Sequence, residues 1–171
     1  AIIDKPRFSW RGQHLDTVRH YFSADSILKL LDLMSLFKLN KFHWHGTDDE
    51  AFRFKLDDDY EIATSTSARG DGQLVPPVFG SGPFPSGGCY DLVQIKRIID
   101  RASENYIEVM PEFDLPGHNM SLVKLYPSMR DPEDKSYEVS VQGYTENTIN
   151  PAMPDTLPVL ENIIDDLCRV F

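Results

Sequence analysis

Residues 41–50 read KFHWHGTDDE. With a side-chain period of two, His43 and His45 share one face of a strand and Trp44 takes the other. The apolar run then ends abruptly in Gly46 and three carboxylates within four residues, Asp48, Asp49 and Glu50. Three readings are open for such a strand end: a metal cage, an acid/base apparatus, or a polar turn.

The flanking chain sets this strand in a repeat. Short apolar runs at 12–17 (GQHLDT), 41–47 (KFHWHGT) and 106–116 (YIEVMPEFDLP) have strand length. Each precedes a helical pattern. SADSILKLLDLMSLFKLN, residues 23–40, has Ser23 as cap, Asp25 in its first turn, and a stripe of Ile27, Leu30, Leu31, Met34 and Phe37. DLVQIKRIIDRASENY, residues 91–106, opens on an Asp91/Gln94 capping box and presents Ile95, Ile98, Ile99 and Ala102. A third helix starts near Asp155 and runs through Leu157, Leu160, Ile163, Ile164 and Leu167, with Pro158 tolerated in the first turn. Strand–helix alternation of this kind predicts an α/β fold with a parallel sheet. The helix-to-strand links are short. The strand-to-helix links are long, at 47–90 and 115–154, and loops of that length inside a domain are usually functional. The first retains Val75, Val78, Phe79, Phe84 and Tyr90, which predicts an ordered lid or rim.

Composition narrows the function. The chain has 171 residues, 41% of them hydrophobic, a prior for one domain. Seventeen Lys and Arg against 27 Asp and Glu leave a net charge of −10, which argues against a nucleic-acid binder or docking on an anionic membrane. Cys89 and Cys168 belong to no CxxC pair and are expected to be unpaired thiols. No apolar run approaches a membrane span. A start at Ala1 and an end within an apolar-periodic stretch lead us to expect a piece of a longer protein, inactive and poorly stable by itself because its sheet edge is open.

The polar chemistry has a shared address. Asp16, Arg19 and His20 follow the first strand, His45, Asp48 and Asp49 the second, Glu112, Asp114 and His118 the third. In parallel α/β folds that edge is where sites are built. Pro116 and Gly117 should turn the chain and aim His118 back over the sheet. Plainer roles stand beside these. His43 is expected to be a core histidine bonded to backbone, Glu112 is compatible with a structural pair to Arg19, and Asp57–Asp58–Asp59 reads as a solvated loop. A metal hydrolase using His43, His45 and His118 is the main alternative chemistry. Nothing supports a nucleophilic Ser or Cys, as no GxSxG occurs.

Taken together, RGQHLDTVRHYF (11–22), LNKFHWHGTDDEAFRF (39–54) and PEFDLPGH (111–118) resemble the family 20 glycoside hydrolases, the β-N-acetylhexosaminidases, from about Pro6 to the C-terminus. The resemblance implies a (β/α)8 TIM barrel, of which residues 1–171 would be an incomplete catalytic domain holding about the first three βα units. It implies removal of terminal N-acetylglucosamine or N-acetylgalactosamine with retention, the substrate's acetamido oxygen acting as nucleophile. No cofactor or metal is implied. The only partners are the carbohydrate and the remainder of the barrel. The reacting Asp-Glu pair of the family follows a Gly-Gly at the fourth strand, and no such stretch occurs here. Arg19 matches the sugar-hydroxyl clamp, and Asp48 with His118 a relay to the missing acid. Asp16, His45, Asp49, Glu112 and Asp114 match supporting positions. Gly46, Glu50, Phe52, Cys89 and Val18 stand where leucine, glutamine, tryptophan, an aromatic and serine are common. A non-catalytic sugar-binding relative remains an alternative. The sequon at Asn119 is expected to be unused, being beside His118. The resemblance suggests a secreted, periplasmic or lysosomal setting, with a cytoplasmic one open.

Overall fold

A computed structural model describes the chain except residues 58–59, 76–85, 134–138 and 141. In chain order it forms β1 (Gly12–Asp16), α1 (Ala24–Leu36), β2 (Lys41–His45), a short antiparallel pair β3 (Thr47–Asp48) and β4 (Ala51–Phe52), α2 (Glu61–Thr66), a second short pair β5 (Ala68–Arg69) and β6 (Ser86–Gly87), α3 (Leu92–Glu104), β7 (Glu108–Glu112), α4 (Met120–Leu125), a 3-10 turn (Pro127–Met129) and α5 (Thr156–Val170). Strands β1, β2 and β7 make a parallel sheet in that order, as the strand–helix alternation predicts. The register sets Asp16 opposite His45, and His45 opposite Glu112, so one row of polar residues closes the carboxyl edge.

The helix caps follow from the sequence. Ser23 accepts a bond from the Ser26 N–H, and Asp91 and Gln94 make a reciprocal capping box. Ile27, Leu31 and Met34 of α1 and Ile95, Ile98 and Ala102 of α3 are buried. Helix α1 ends four residues before the expected boundary at 40, because Lys38 takes a left-handed φ of 56°. Phe37 therefore falls off the core stripe and is 68% exposed. In α5 the apolar stripe is narrower than expected: Ile163 and Leu167 are buried, while Leu157 and Ile164 are exposed.

Trp44, fully buried on the face opposite the histidines, organises the core. Phe54 and Tyr90 meet its ring edge-on at 5.1 and 4.9 Å, and Phe171 at 6.1 Å. Its indole N–H donates to the Thr17 hydroxyl at 3.2 Å. Phe54 and Tyr90 belong to the long 47–90 connection, so its described ends contribute to the core. Val75 is buried too, packed with Met120 and Tyr144 of the second long connection. Val78, Phe79 and Phe84, and Asp58 and Asp59, lie outside the described residues, whereas Asp57 is exposed. Both cysteines are free thiols. No helix among the described residues is long and apolar enough to cross a membrane.

Gly46 owes its place to this core. A β-carbon there would lie 2.0 Å from the Phe54 ring. The common leucine is therefore incompatible with this packing. In the full-length protein Gly46→Leu should lower stability by about 1–3 kcal/mol through overpacking. Denaturant titration checks it. Gly46→Leu combined with Phe54→Ala should be no less stable than Phe54→Ala alone. Simple additivity of the two losses would show that the ring is not the obstacle.

Candidate active site

The site is assembled where the strands end. After β1, the Asp16 carboxylate accepts bonds from the backbone N–H groups of Val18 and Arg19 at 2.9 and 3.1 Å, which turns the chain back on itself. The Arg19 Nη1 then returns to the other Asp16 oxygen at 2.9 Å. A second guanidinium holds this turn from beneath. Buried Arg53 donates to the carbonyls of Thr17 (3.1 Å), Val18 (2.7 Å) and Gly88 (2.8 Å), and to that of Ser67. Burial lowers its pKa to about 10, still a cation at neutral pH. Its four acceptors are carbonyl dipoles, so it fastens the β1 loop to the 47–90 segment without a carboxylate.

Asp48 sits at the centre. Its side chain is fully buried, 2.6 Å from Arg19 Nη2 on one oxygen and 3.3 Å from His118 Nδ1 on the other. Burial raises its pKa, and the Asp49 N–H and Arg19 offset part of that. Asp49 faces the second long connection, accepting from the Met120 N–H and the Asn147 amide, both at 3.0 Å. The Ser121 hydroxyl donates to the Asp48 carbonyl at 2.9 Å. Glu50 is buried 3.8 Å from Arg19 Nε, its pKa raised by burial and then by Asp48.

His45 is buried between two carboxylates, Nδ1 3.3 Å from Asp16 and Nε2 3.2 Å from Asp114. Burial opposes its charge, but hydrogen bonds to Asp114 and Asp16 prevail and raise its pKa to about 10. The reciprocal effect appears on both acids. Burial pushes each up, and His45 holds each below the ordinary carboxylate range, with Arg19 adding to it at Asp16. The Asp114 N–H donates to the Thr47 hydroxyl at 3.0 Å. The following turn brings His118 over the edge at a left-handed φ of 58°, strained for a residue with a β-carbon. Asn119 is buried and its amide donates to the carbonyls of Asp114 and Gly117, which leaves the sequon no free acceptor nitrogen.

Arg19, Asp48 and His118 thus converge, with Asp16, His45, Asp49 and Asp114 packed around them. Three other expectations are corrected. Glu112 pairs with His43 at 2.7 Å and lies 3.6 Å from His14, and it has no ion pair with Arg19. The register explains this, since Glu112 projects from the same sheet face as both histidines. His43 is accordingly partly exposed beside a carboxylate, not a core histidine bonded to backbone. His20 is exposed and edge-on to Phe22 at 5.2 Å, away from the cluster. The metal alternative needed His43, His45 and His118 together, but His43 pairs with Glu112, whereas His45 and His118 both approach Asp48, at 3.6 and 3.3 Å. Among the described residues the close ligand trios are His14–His43–Glu112, His45–Glu112–Asp114 and Asp48–Asp49–His118. Sequence reasoning missed Arg53 and Gln142. A cation between two buried phenylalanines was the available sign of the first. Gln142, within hydrogen-bond reach of Arg19 and His118, had no local sign.

Comparison with known proteins accords with this arrangement. A model of the glycosyl hydrolase family 20 catalytic domain matches residues 8–171. A beta-hexosaminidase of Vibrio furnissii is 33% identical over 172 residues, covering 100% of this chain and 28% of that protein. Human beta-hexosaminidase subunit beta is 32% identical, covering 100% of this chain and 27% of that protein. The crystal structure of a GH20 exo beta-N-acetylglucosaminidase from Vibrio harveyi in complex with N-acetylglucosamine superposes with a TM-score of 0.93 at 33% identity, covering 99% of this chain and 27% of that one. The chain thus spans little more than a quarter of the length of these relatives.

The buried imidazolium sets a pH dependence. Its folded pKa of about 10 lies above the ordinary 6.5, so its stabilisation is complete below about pH 6.5 and is lost as pH rises through 10. For Asp16 and Asp114 the sign reverses: their contribution is present above 3.8 and is lost as pH falls toward their lower folded values. Urea midpoints of the full-length protein should therefore fall between pH 7 and 10, and His45→Gln should flatten that limb. An unchanged alkaline limb in the variant counts against a charged His45.

Proposed function

Because the chain belongs to glycosyl hydrolase family 20, whose catalytic-domain model matches residues 8–171, we propose that the whole protein removes terminal N-acetylhexosamine from glycoconjugates or chito-oligosaccharides. In this reading residues 1–171 form the first three βα units of a (β/α)8 barrel, and the reacting Asp-Glu pair lies in the part of the protein beyond them. The reaction is substrate-assisted: the acetamido oxygen attacks the anomeric carbon, a carboxylic acid protonates the leaving oxygen, and water then opens the cyclic intermediate with retention.

The observation that carries the proposal is one carboxylate shared between a guanidinium and an imidazole. Asp48 reaches Arg19 at 2.6 Å and His118 at 3.3 Å, and while its own side chain is 0% exposed theirs are 40% and 51% exposed. Arg19 is thereby fixed while its guanidinium stays partly exposed, and a planar fork of donors suits sugar hydroxyls. With Nδ1 of His118 directed at Asp48, Nε2 is the nitrogen left to meet the acid. Such a relay holds the imidazole's orientation and tunes the acid's proton affinity. The relatives named for beta-hexosaminidase activity support the substrate class.

In the full-length protein, Arg19→Lys should cut turnover of a chromogenic N-acetylglucosaminide by roughly 100-fold, because an ammonium cannot hold the sugar and Asp48 in one plane. A rate equal to that of the wild type would sink the assignment of Arg19. An inactive wild type would favour the non-catalytic relative.

A further inference from the structure

Behind the turn that follows β1 lies a cavity that the candidate site does not use. It measures about 140 Å3 and is lined by His20, Tyr21, Arg53, Arg69 and Gly87. Pockets for drug-sized molecules run to roughly 300–1,000 Å3, so this one suits a small ion or a single substituent.

Its walls are positive. Arg53 is fully buried, and the Arg69 side chain is 11% exposed. Arg53 lies 5.6 Å from the centroid of the Tyr21 ring. Arg69 Nη2 donates to the Arg19 carbonyl at 2.7 Å. Burial lowers the pKa of Arg53, and the like charge of Arg69 lowers it further, so the two guanidiniums repel each other. The acceptors of Arg53 are carbonyls, which satisfy its N–H groups but supply no net negative charge. Among the described residues, Glu50 is the carboxylate within ion-pair distance of either guanidinium, 4.0 Å from Arg69 Nη1, and it also faces Arg19 at 3.8 Å. One acid thus stands among three guanidiniums. The excess of positive charge is local, against an overall −10. The wall at residue 87 is bare of side chain for a reason. A β-carbon there would lie 2.1 Å from the Ser67 carbonyl oxygen and 2.9 Å from Arg53 Nη1, on a backbone at φ +137°.

A small cavity between two buried guanidiniums matches an anion in both charge and size. Guanidinium groups hold tetrahedral oxyanions well, because their planar N–H groups pair with the oxygens. We propose that this cavity binds a tetrahedral oxyanion, sulfate or phosphate, between Arg53 and Arg69, with the exposed His20 at its rim. The group is either the free ion or an ester on the carbohydrate, since the carbonyl that Arg69 holds belongs to Arg19. Binding of the free ion requires no turnover, so the site stands apart from the hexosaminidase reading.

The test titrates the full-length protein with sodium sulfate and sodium phosphate in a calorimeter, at an ionic strength fixed with sodium chloride. A single ion should bind, with a Kd on the order of 1 mM or tighter. Arg69→Gln should weaken it about tenfold or more, through loss of a charge-assisted contact. That change also removes the bond to the Arg19 carbonyl, so a second variant is needed. His20 is exposed, with its ring against Phe22, and His20→Asp sets a carboxylate at the rim without removing that bond. It should weaken binding by a similar factor in protein whose urea transition shows it folded. Chromogenic N-acetylglucosaminides carrying one sulfate ester then locate the source. A loss of kcat/KM in His20→Asp that is about fivefold greater on one ester than on the parent assigns the anion to the substrate. Equal losses on all substrates, with ion binding weakened, assign it to the free ion. A wild type that binds neither ion, or binding that either variant leaves intact, overturns the proposal. A wild type that binds the ion but does not turn over the parent upholds this site and sinks the reading above.

Discussion

The site depends on a carboxylate that water cannot reach. A buried Asp48 left alone would cost several kcal/mol as an anion, or would take up a proton. Its pKa is indeed raised by burial, and what opposes this is specific: the Asp49 N–H first, then the Arg19 guanidinium. These partners arrive from three strand ends. The β1 loop brings Arg19, the β2 end brings Asp48 itself, and the turn after β7 brings His118. The carboxylate therefore joins three segments that share no local contact in sequence. It also makes their geometry interdependent, since moving either partner leaves the buried carboxylate less well compensated.

Around that centre the charges alternate. Asp16 and Asp114 enclose His45, and Asp16, Asp48 and Glu50 surround Arg19. Each cation is oversupplied with acids, and the imidazolium stays charged at neutral pH as a result. Such a site needs no net charge on its ligand. For a neutral sugar, orientation by fixed donors matters more than steering by field, and the chain's overall −10 does not oppose it.

Much of this was legible in the residues because the signals are local. A capping box, a period of two, and a Pro-Gly turn act within a few residues, and all three appear where the sequence places them. Signals that depend on distant partners were not legible. Phe37 has the right helical spacing for the core, but Lys38 ends the helix beside it and the side chain faces water. Glu112 has a charge suited to Arg19, but it projects from the sheet face that carries His14 and His43 and pairs with His43 instead. Arg53 serves four carbonyls from three separated stretches, and Gln142 comes within reach of Arg19 from the second long connection. Neither arrangement leaves a spacing rule in the chain.

The sheet itself has two unlike faces, and their difference bears on the barrel reading. Trp44 and Phe42 are buried on the helix side. His14, His43 and Glu112 project from the other side and remain 30–48% exposed. Parallel sheets ordinarily have both faces covered. A polar row would be a poor surface for packing helices, because its imidazoles and carboxylate would each need a partner once buried. It suits the inside of a closed barrel, where neighbouring strands contribute side chains layer by layer at matching height. The proposed barrel would meet that requirement, with His14 and His43 one layer beneath the Asp16–His45–Glu112 row that closes the carboxyl edge. On that view His43, one of the three histidines of the metal reading, belongs to the floor of the site, and the chemistry stands one layer above it.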